Sequence, residues 1–386
     1  MDILPRLRRT PLQVRAVAVM LALALHGGSA WAQPEAPCRS VTSVPSRWLL
    51  TTSPNNAKPP VEMPAVPASL ERRVAVWERI WGELESGQFL LVDARRPSIV
   101  HAEIDCRGRA HACEDIRDDA LDQATQRLRK RAAREELYGK EKALADTARQ
   151  HMLFLEGRSE GLKRAMVEGA ETLGAAEAMF DLIRVPRGYA RLAVVESMMR
   201  SDARSSKGAL GTYQFMPVTA DRYLMVRDGV DERLDPVRAS LAAAKYLKKL
   251  KAELGSWPHA LTAYNTGSSR LRKLMKKRRT RDIGKVIDGG KHEGFGFASQ
   301  NYYAQVAAIA RVTQAIEISR PISNDLALRV DKRTKAAELA RCVAVTPHEL
   351  AEANPSLTKA IVEQAKPVPK GYLVRVRRPA TTARID

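Results

Sequence analysis

Glu196 closes the apolar run Leu192-Ala193-Val194-Val195. A carboxylate at the edge of an apolar helix face is a candidate for a raised pKa, because desolvation penalises the charged form. A carboxyl held protonated near neutrality is what a general acid requires. Taken alone, a glutamate at a helix end is more often a surface residue or a salt-bridge partner. Its surroundings are less ordinary. Ser205 follows nine residues on, then Gly208-Ala209, Gly211 and Tyr213-Gln214-Phe215-Met216-Pro217. Farther along come Ala263-Tyr264-Asn265, Gly267 and Asn301-Tyr302. The acids that follow in sequence, Asp202, Asp221, Asp228, Asp231, Glu232 and Asp235, stand in polar or helix-capping contexts. Glu196 is therefore the one carboxylate of this stretch in an apolar setting.

The elements that must position these residues read as helices. Leu162, Met166, Ala170, Leu173 and Met179 recur at helical spacing before Pro186 and Gly188 interrupt the pattern. Helical segments then follow at Tyr189–Met199, Pro217–Tyr223, Pro236–Leu254, Trp257–Tyr264, Ser268–Lys277 and Asn301–Ile318. The glycine-rich stretch Ile283–Phe297 reads as a loop. Upstream, Val74, Trp77, Ile80 and Trp81 also recur at helical spacing. Leu121, Ala124, Leu128 and Ala132 suggest one face of a longer helix, decorated by Arg127, Arg129, Lys130, Arg131 and Arg134. After Pro321 the pattern changes to strand, helix, helix, strand: Leu328–Val330, Ala336–Cys342, Pro347–Ala353 and Tyr372–Val376.

With these elements in place, the motifs resemble the soluble lytic transglycosylase (SLT) catalytic domain, a lysozyme-like family that cleaves murein. The resemblance rests on VESMMRSDARSSKGALGTYQFMPVTA, VDERLDPVRASLAAAKYLKKL, GSWPHALTAYNTG and FGFASQNYYAQ. It covers about residues 165–320 and is nearest to the membrane-bound lytic murein transglycosylase D branch. Ordinary glycosidases flank the bond with two carboxylates; the resemblance implies that one suffices here. Glu196 is then the catalytic acid/base, and cleavage of the MurNAc–GlcNAc β-1,4 bond ends in a 1,6-anhydro sugar.

By the same resemblance Ser205 hydrogen-bonds the substrate near its N-acetyl group, and Gln214 lines the sugar cleft. Tyr264 and Asn265 sit beside that cleft, and Tyr302 orients Glu196. Thr212-Tyr213 stands where the branch has a larger apolar residue and Trp, so Tyr213 is expected to keep an aromatic wall. The alternatives are a hydrolytic lysozyme and a non-catalytic murein-binding scaffold. The tail resembles a LysM glycan-binding module in AEANPSL and Pro369-Lys370-Gly371-Tyr372, although Asp331-Lys332-Arg333 replaces its usual Gly-Asp. The expected fold is mainly α: an N-terminal helical region at 70–165, a lysozyme-like domain at 166–320 and a small α+β module at 325–380. No metal or other cofactor is implied.

Composition fits an exported protein that acts on a polyanion. The chain has 386 residues, 45% hydrophobic, with a formal net charge of +20 and a pI near 10.0. Arg6, Arg8, Arg9 and Arg15, the apolar run Ala16–Leu25 and Ala30-Trp31-Ala32 form a secretory signal peptide over residues 1–32, an uncleaved anchor being the alternative. Gln33 at the cut site, with Cys38 farther on, gives no lipidation signal. A Pro/Ser/Thr-rich linker spans 33–69. The expected location is the periplasm, with peptidoglycan strands as partner and room for peripheral association with the outer membrane or cell wall. Export and the lack of interleaved aromatics argue against nucleic acid as the target of the basic run Arg270–Arg281; attraction to anionic murein peptides or lipopolysaccharide fits better, and a solvated helix face is the equal alternative. Export also permits disulfides. Cys106 and Cys113 are expected to pair, and Cys38 with Cys342 would complete an even count, although four cysteines permit three pairings; a zinc site built on Cys106, His111 and Cys113 lacks an obvious fourth ligand.

Overall fold

The computed structural model describes residues 40–43, 65–135, 146–289, 293–314, 326–363 and 366–376. These residues all belong to one compact unit. The expected signal peptide and most of the expected linker lie outside them. Among the described residues no helix is long and apolar enough to cross a membrane.

The molecule is mainly α, as expected. Its first large element, α1 (Ala68–Glu78), buries Leu70, Val74 and Trp77 and continues into one π-helical turn at Arg79–Glu83. The N-terminal region, expected to be helical, also contains a sheet. Strands β2 (Gln88–Asp93), β3 (Val100–Asp105) and β4 (Met152–Glu156) form an antiparallel sheet in the order β3-β2-β4. A short outer strand, β1 (Val41–Ser43), precedes them in sequence and belongs elsewhere. Strand β2 escaped detection because its residues from Phe89 to Asp93 are all buried; a strand covered on both faces shows no alternation. Helix α2 (Cys113–Arg134) packs on β3 and buries Ala124 and Ala132. A disulfide joins Cys106 to Cys113 at its start, which removes both thiolates from any metal set. Cys342 is also disulfide-bonded, while Cys38 lies outside the described residues.

The helices around the site follow: α3 (Ser159–Glu168), α4 (Ala170–Leu182), α5 (Leu192–Ser197) and α6 (Pro217–Ala220). After a two-residue-per-strand hairpin, β5 (Val226–Arg227) and β6 (Val230–Asp231), come α7 (Pro236–Leu254) and α8 (Trp257–Thr266). Helix α7 begins where sequence chemistry demands. The Asp235 carboxylate accepts the N–H groups of Val237 (3.0 Å) and Arg238 (3.2 Å), Pro236 occupies the first turn, and Gly255 at φ 92° ends the helix. Helices α9 (Ser268–Lys277), α10 (Ile283–Asp288) and α11 (Phe297–Val312) complete the set. Helix α10 corrects the expected loop. Asp282 caps it by accepting the Lys285 N–H, and Ile283, Val286 and Ile287 are buried, so tertiary packing overrides the local glycine signal. One apolar core runs from Val66 to Ile309 and joins α1 and the inner face of the β2 sheet to the helices that follow.

The tail has the expected strand–helix–helix–strand order: β7 (Leu326–Val330), a two-residue strand β8 (Thr334–Lys335), α12 (Ala336–Cys342), α13 (Pro347–Ala353), a single turn α14 (Lys359–Val362), β9 (Pro367–Val368) and β10 (Leu373–Val376). Strand β7 lies between β10 and β1, both antiparallel to it. This small α+β module is packed into the helical body. Val230 of the β5–β6 hairpin belongs to the tail's own core with Leu357 and Ile361. The Asp231 N–H bonds Ser356 O (2.9 Å), and the Thr358 hydroxyl bonds Gly229 O (2.6 Å). Arg238 stands 4.6 Å over the Tyr372 ring and donates to Leu373 O. Asp235, fully buried, receives both Arg238 (3.2 Å) and Arg375 (2.7 Å).

Arg238→Ala removes a cation from buried Asp235 and Glu232 and a cover from Tyr372. Breaking a buried pair in this way is expected to cost about 3 kcal/mol, read by urea unfolding. A loss below about 1 kcal/mol, typical of an exposed pair, would mean that the tail adds little to the body.

Candidate active site

Glu196 is the penultimate residue of α5. Leu192, Ala193 and Val194 drive this short helix into the core, each almost fully buried. A buried ion pair pins its start: Arg191 bonds Glu177 of α4 (2.6 Å) and donates to the Thr313 hydroxyl beyond α11 (3.0 Å). The helix stops through two consecutive left-handed residues, Met198 (φ 53°) and Met199 (φ 66°). Met199 N–H closes the end on Ala193 O (3.2 Å) and Met198 N–H on Val194 O (2.9 Å). Side-chain-bearing residues in that region cost roughly 1 kcal/mol or more each, so the surrounding packing enforces this abrupt stop directly after the acid.

The Tyr302 hydroxyl, from α11, donates to Glu196 Oε1 at 2.5 Å. Part of Glu196 remains reachable by solvent, but its carboxyl is crowded by protein. Burial is the largest influence and pushes its pKa up to about 7, against the smaller lowering effect of the Tyr302 hydrogen bond. Burial and the neighbouring Glu196 charge hold the Tyr302 phenol well above its ordinary range, so it stays a neutral donor. The Tyr264 ring stacks nearly parallel to Tyr302, centroids 6.4 Å apart. Its hydroxyl donates to the backbone oxygen of Tyr213 (2.9 Å), which links α8 to the glycine turn.

That turn, residues 203–216, is built as a braced loop. The Ser197 hydroxyl ties the end of α5 to Thr212 O (2.9 Å). The Ser205 hydroxyl accepts the Ala209 N–H (2.9 Å). Gln214 Nε2 donates to Ala203 O (2.8 Å) and Gly211 O (2.9 Å), so its amide fastens the loop. Gly211 (φ 83°) is obligatory there, since a Cβ would stand 1.8 Å from Arg233 O. Arg233, paired with Asp231 (2.7 Å), donates to Gly208 O (3.2 Å) and Phe215 O (3.4 Å).

The structure thus groups Glu196, Tyr302 and Tyr264 directly, with Ser205 and Gln214 in the adjoining loop. Asn265 is exposed beside them and accepts the Ser299 hydroxyl (2.8 Å). Tyr213 departs from its expected place. Its side chain is fully buried, stacks on Phe180 at 6.2 Å and reaches Ala190 O (3.4 Å), so its ring is core and forms no exposed aromatic wall. Sequence reasoning missed Arg233 and Ser197. Arg233 follows Asp231 at a two-residue spacing suited to a bidentate pair, but nothing local points it at a loop eighteen residues earlier.

Residues 184–287, the segment carrying Glu196, match the family model of the Transglycosylase SLT domain. Over 106 residues the chain is 32% identical to the membrane-bound lytic murein transglycosylase D of Escherichia coli K12, and equally to that of E. coli O6:H1. Each match covers 27% of this chain and 23% of the relative, so the likeness spans about a quarter of those proteins' length. Among solved structures, the lytic transglycosylase Slt of Pseudomonas aeruginosa is matched at 19% identity and TM-score 0.34, over 56% of this chain and 35% of that one.

The raised pKa makes a stability prediction. A carboxyl that ionises at about 7 in the folded chain and near 4.5 when unfolded favours the fold fully below the lower value. That contribution is lost as pH rises toward about 7. Glu196→Gln, which never ionises, should therefore gain thermal stability relative to wild type between these pH values and hold a constant gap above them. A gap that does not vary with pH would contradict the desolvated carboxyl.

Proposed function

We propose that this chain is a peptidoglycan lytic transglycosylase that cleaves the MurNAc–GlcNAc β-1,4 bond with Glu196 as its single acid/base. The observation that carries the reading is the Glu196 carboxyl, desolvated to a pKa of about 7 and held by the Tyr302 hydroxyl. The segment's SLT family match and its likeness to murein transglycosylases supply the substrate class.

In the first step protonated Glu196 donates to the glycosidic oxygen as its bond to C1 breaks, releasing the 4-hydroxyl of GlcNAc. The positive charge left at C1 is shared with the substrate's N-acetyl group. In the second step the Glu196 carboxylate takes the proton of the C6 hydroxyl while O6 bonds to C1. The 1,6-anhydro product leaves, Glu196 is protonated again, and no water is consumed. Tyr302 suits both steps, since a neutral phenol steadies the carboxylate between them without supplying a charge. Nearby acids are engaged elsewhere: Asp202 pairs with Arg200, Asp231 with Arg233, and Glu232 and Asp235 with Arg238. Glu196 stands apart from these as the carboxyl that burial keeps protonated and Tyr302 holds, which favours the internal C6 hydroxyl over water activated by a second base.

The test is mass spectrometry of muropeptides released from purified sacculi. Wild-type protein is expected to yield anhydro ends, with a rate that falls as pH rises through about 7 and the acid is lost. Glu196→Gln should lower the rate on the order of 10²–10⁴ or more and keep the fold. Reducing muramic acid ends would identify a hydrolase. Turnover by Glu196→Gln near that of wild type would reject the assignment.

A further inference from the structure

The basic run after the site remains unexplained by the catalytic reading. It forms α9, which starts at once after Gly267, the residue closing α8 behind Tyr264 and Asn265. The helix spends its apolar stripe inward: Leu271 and Leu274 are buried and Met275 packs on the core. Its outer face is cationic. Lys273, Lys276 and Lys277 are exposed and have no acidic partner among the described residues. Arg279 and Arg281 extend the face beyond the helix end, and both are exposed. The acids packed nearby are already engaged. Glu253 of α7 takes Arg272 (3.1 Å) and Lys249 (3.8 Å), Asp282 caps α10, and Asp288 holds Arg73 (2.6 Å).

We infer that this face is an electrostatic subsite for the carboxylates of the peptide stems on a murein strand. The inference rests on the murein-cleaving reading of the Glu196 site and adds a peptide requirement to it. The argument is one of placement and charge. At about 1.5 Å per residue, the three lysines stand roughly 8–14 Å along the axis of α9 from its first residue, Ser268, which follows Asn265 by three positions. A strand held at Glu196 carries stems with free carboxylates, which makes it a polyanion at such distances. Flexible, strongly hydrated lysines suit contacts with mobile carboxylates better than a fixed bidentate site would. A lipid surface fits less well. Helices that bind in the membrane interface insert an apolar face, whereas this one has no large exposed apolar residue.

The experiment uses the full-length chain and a triple variant, Lys273→Gln, Lys276→Gln, Lys277→Gln. Glutamine is a good helix former, so the fold should persist, with unchanged Tm as the check. Two soluble substrates are compared: glycan strands with intact stems, and the same strands stripped of peptide by an amidase. The variant is expected to raise KM about tenfold on stem-bearing strands, three exposed charge contacts each adding a small factor. Its kcat there, and both constants on stripped strands, should stay at wild-type values. Added salt should erase the wild type's advantage on stem-bearing strands. Equal KM changes on both substrates, or none on either, would overturn the inference. So would loss of binding to phosphatidylglycerol vesicles with KM on stem-bearing strands unchanged, which would assign the face to lipid. If wild-type protein cleaves neither substrate, the parent reading fails. Co-sedimentation of wild type and variant with stem-bearing sacculi still tests the carboxylate contact in that case.

Discussion

The hydrogen bond from Tyr302 to Glu196 is the constraint on which the rest of the site depends. Burial alone drives a carboxyl toward permanent protonation, and a carboxyl that never ionises cannot act as a base. A full charge beside it would drive it the other way and destroy the acid. A neutral phenol at 2.5 Å offsets part of the desolvation without supplying a charge, and the balance falls at about 7. Such an arrangement needs two elements from distant parts of the chain held against each other. Helix α5 must end abruptly at the acid, and α11 must present its tyrosine from 106 residues away.

The surroundings of α11 explain how that register is kept. Asn301, fully buried next to Tyr302, accepts Arg73 (2.9 Å) and Trp77 (3.2 Å) from α1 and donates to Phe297 O (2.8 Å). Arg73 also bonds Asp288, and Arg311 grips Glu71 and Glu78. The N-terminal helix is therefore part of the support for the acid's partner. Both Tyr302 and this brace lie outside the segment 184–287 that matches the SLT family. The opposite side of the site is supported in the same manner. Arg233 holds the glycine turn, Asp231 holds Arg233, and the backbone of Asp231 is fastened to Ser356 of the tail. These contacts connect the tail to the loop beside Glu196.

Much of this was readable in advance where local physics decides. Helices α7, α9, α12 and α13 have the bounds that the sequence pattern suggests; apolar spacing marks each, and α7 and α13 add capping side chains and a proline in the first turn. Glu196 was legible from an apolar run ending in a carboxylate, and Tyr302 from motif order. What escaped was set by tertiary burial. Strand β2 has no alternation to detect, and α10 is held by packing against a local glycine signal. Tyr213 looks like a wall residue by position in the motif, yet its ring points into the core beside Phe180. The amide of Gln214 is likewise spent on the loop's own carbonyls, a role that only the folded turn defines.

The central claim concerns one proton on one carboxyl, and it can be measured without any substrate. Carbon-13 NMR of glutamate-labelled protein, with the Glu196 resonance assigned by its loss in Glu196→Gln, follows the ionisation directly. The account predicts a side-chain carboxyl that titrates with a midpoint near 7, moving to higher pH in Tyr302→Phe because the stabilising donor is gone. A midpoint near the ordinary glutamate value of about 4.3, unaffected by loss of the Tyr302 hydroxyl, would contradict it.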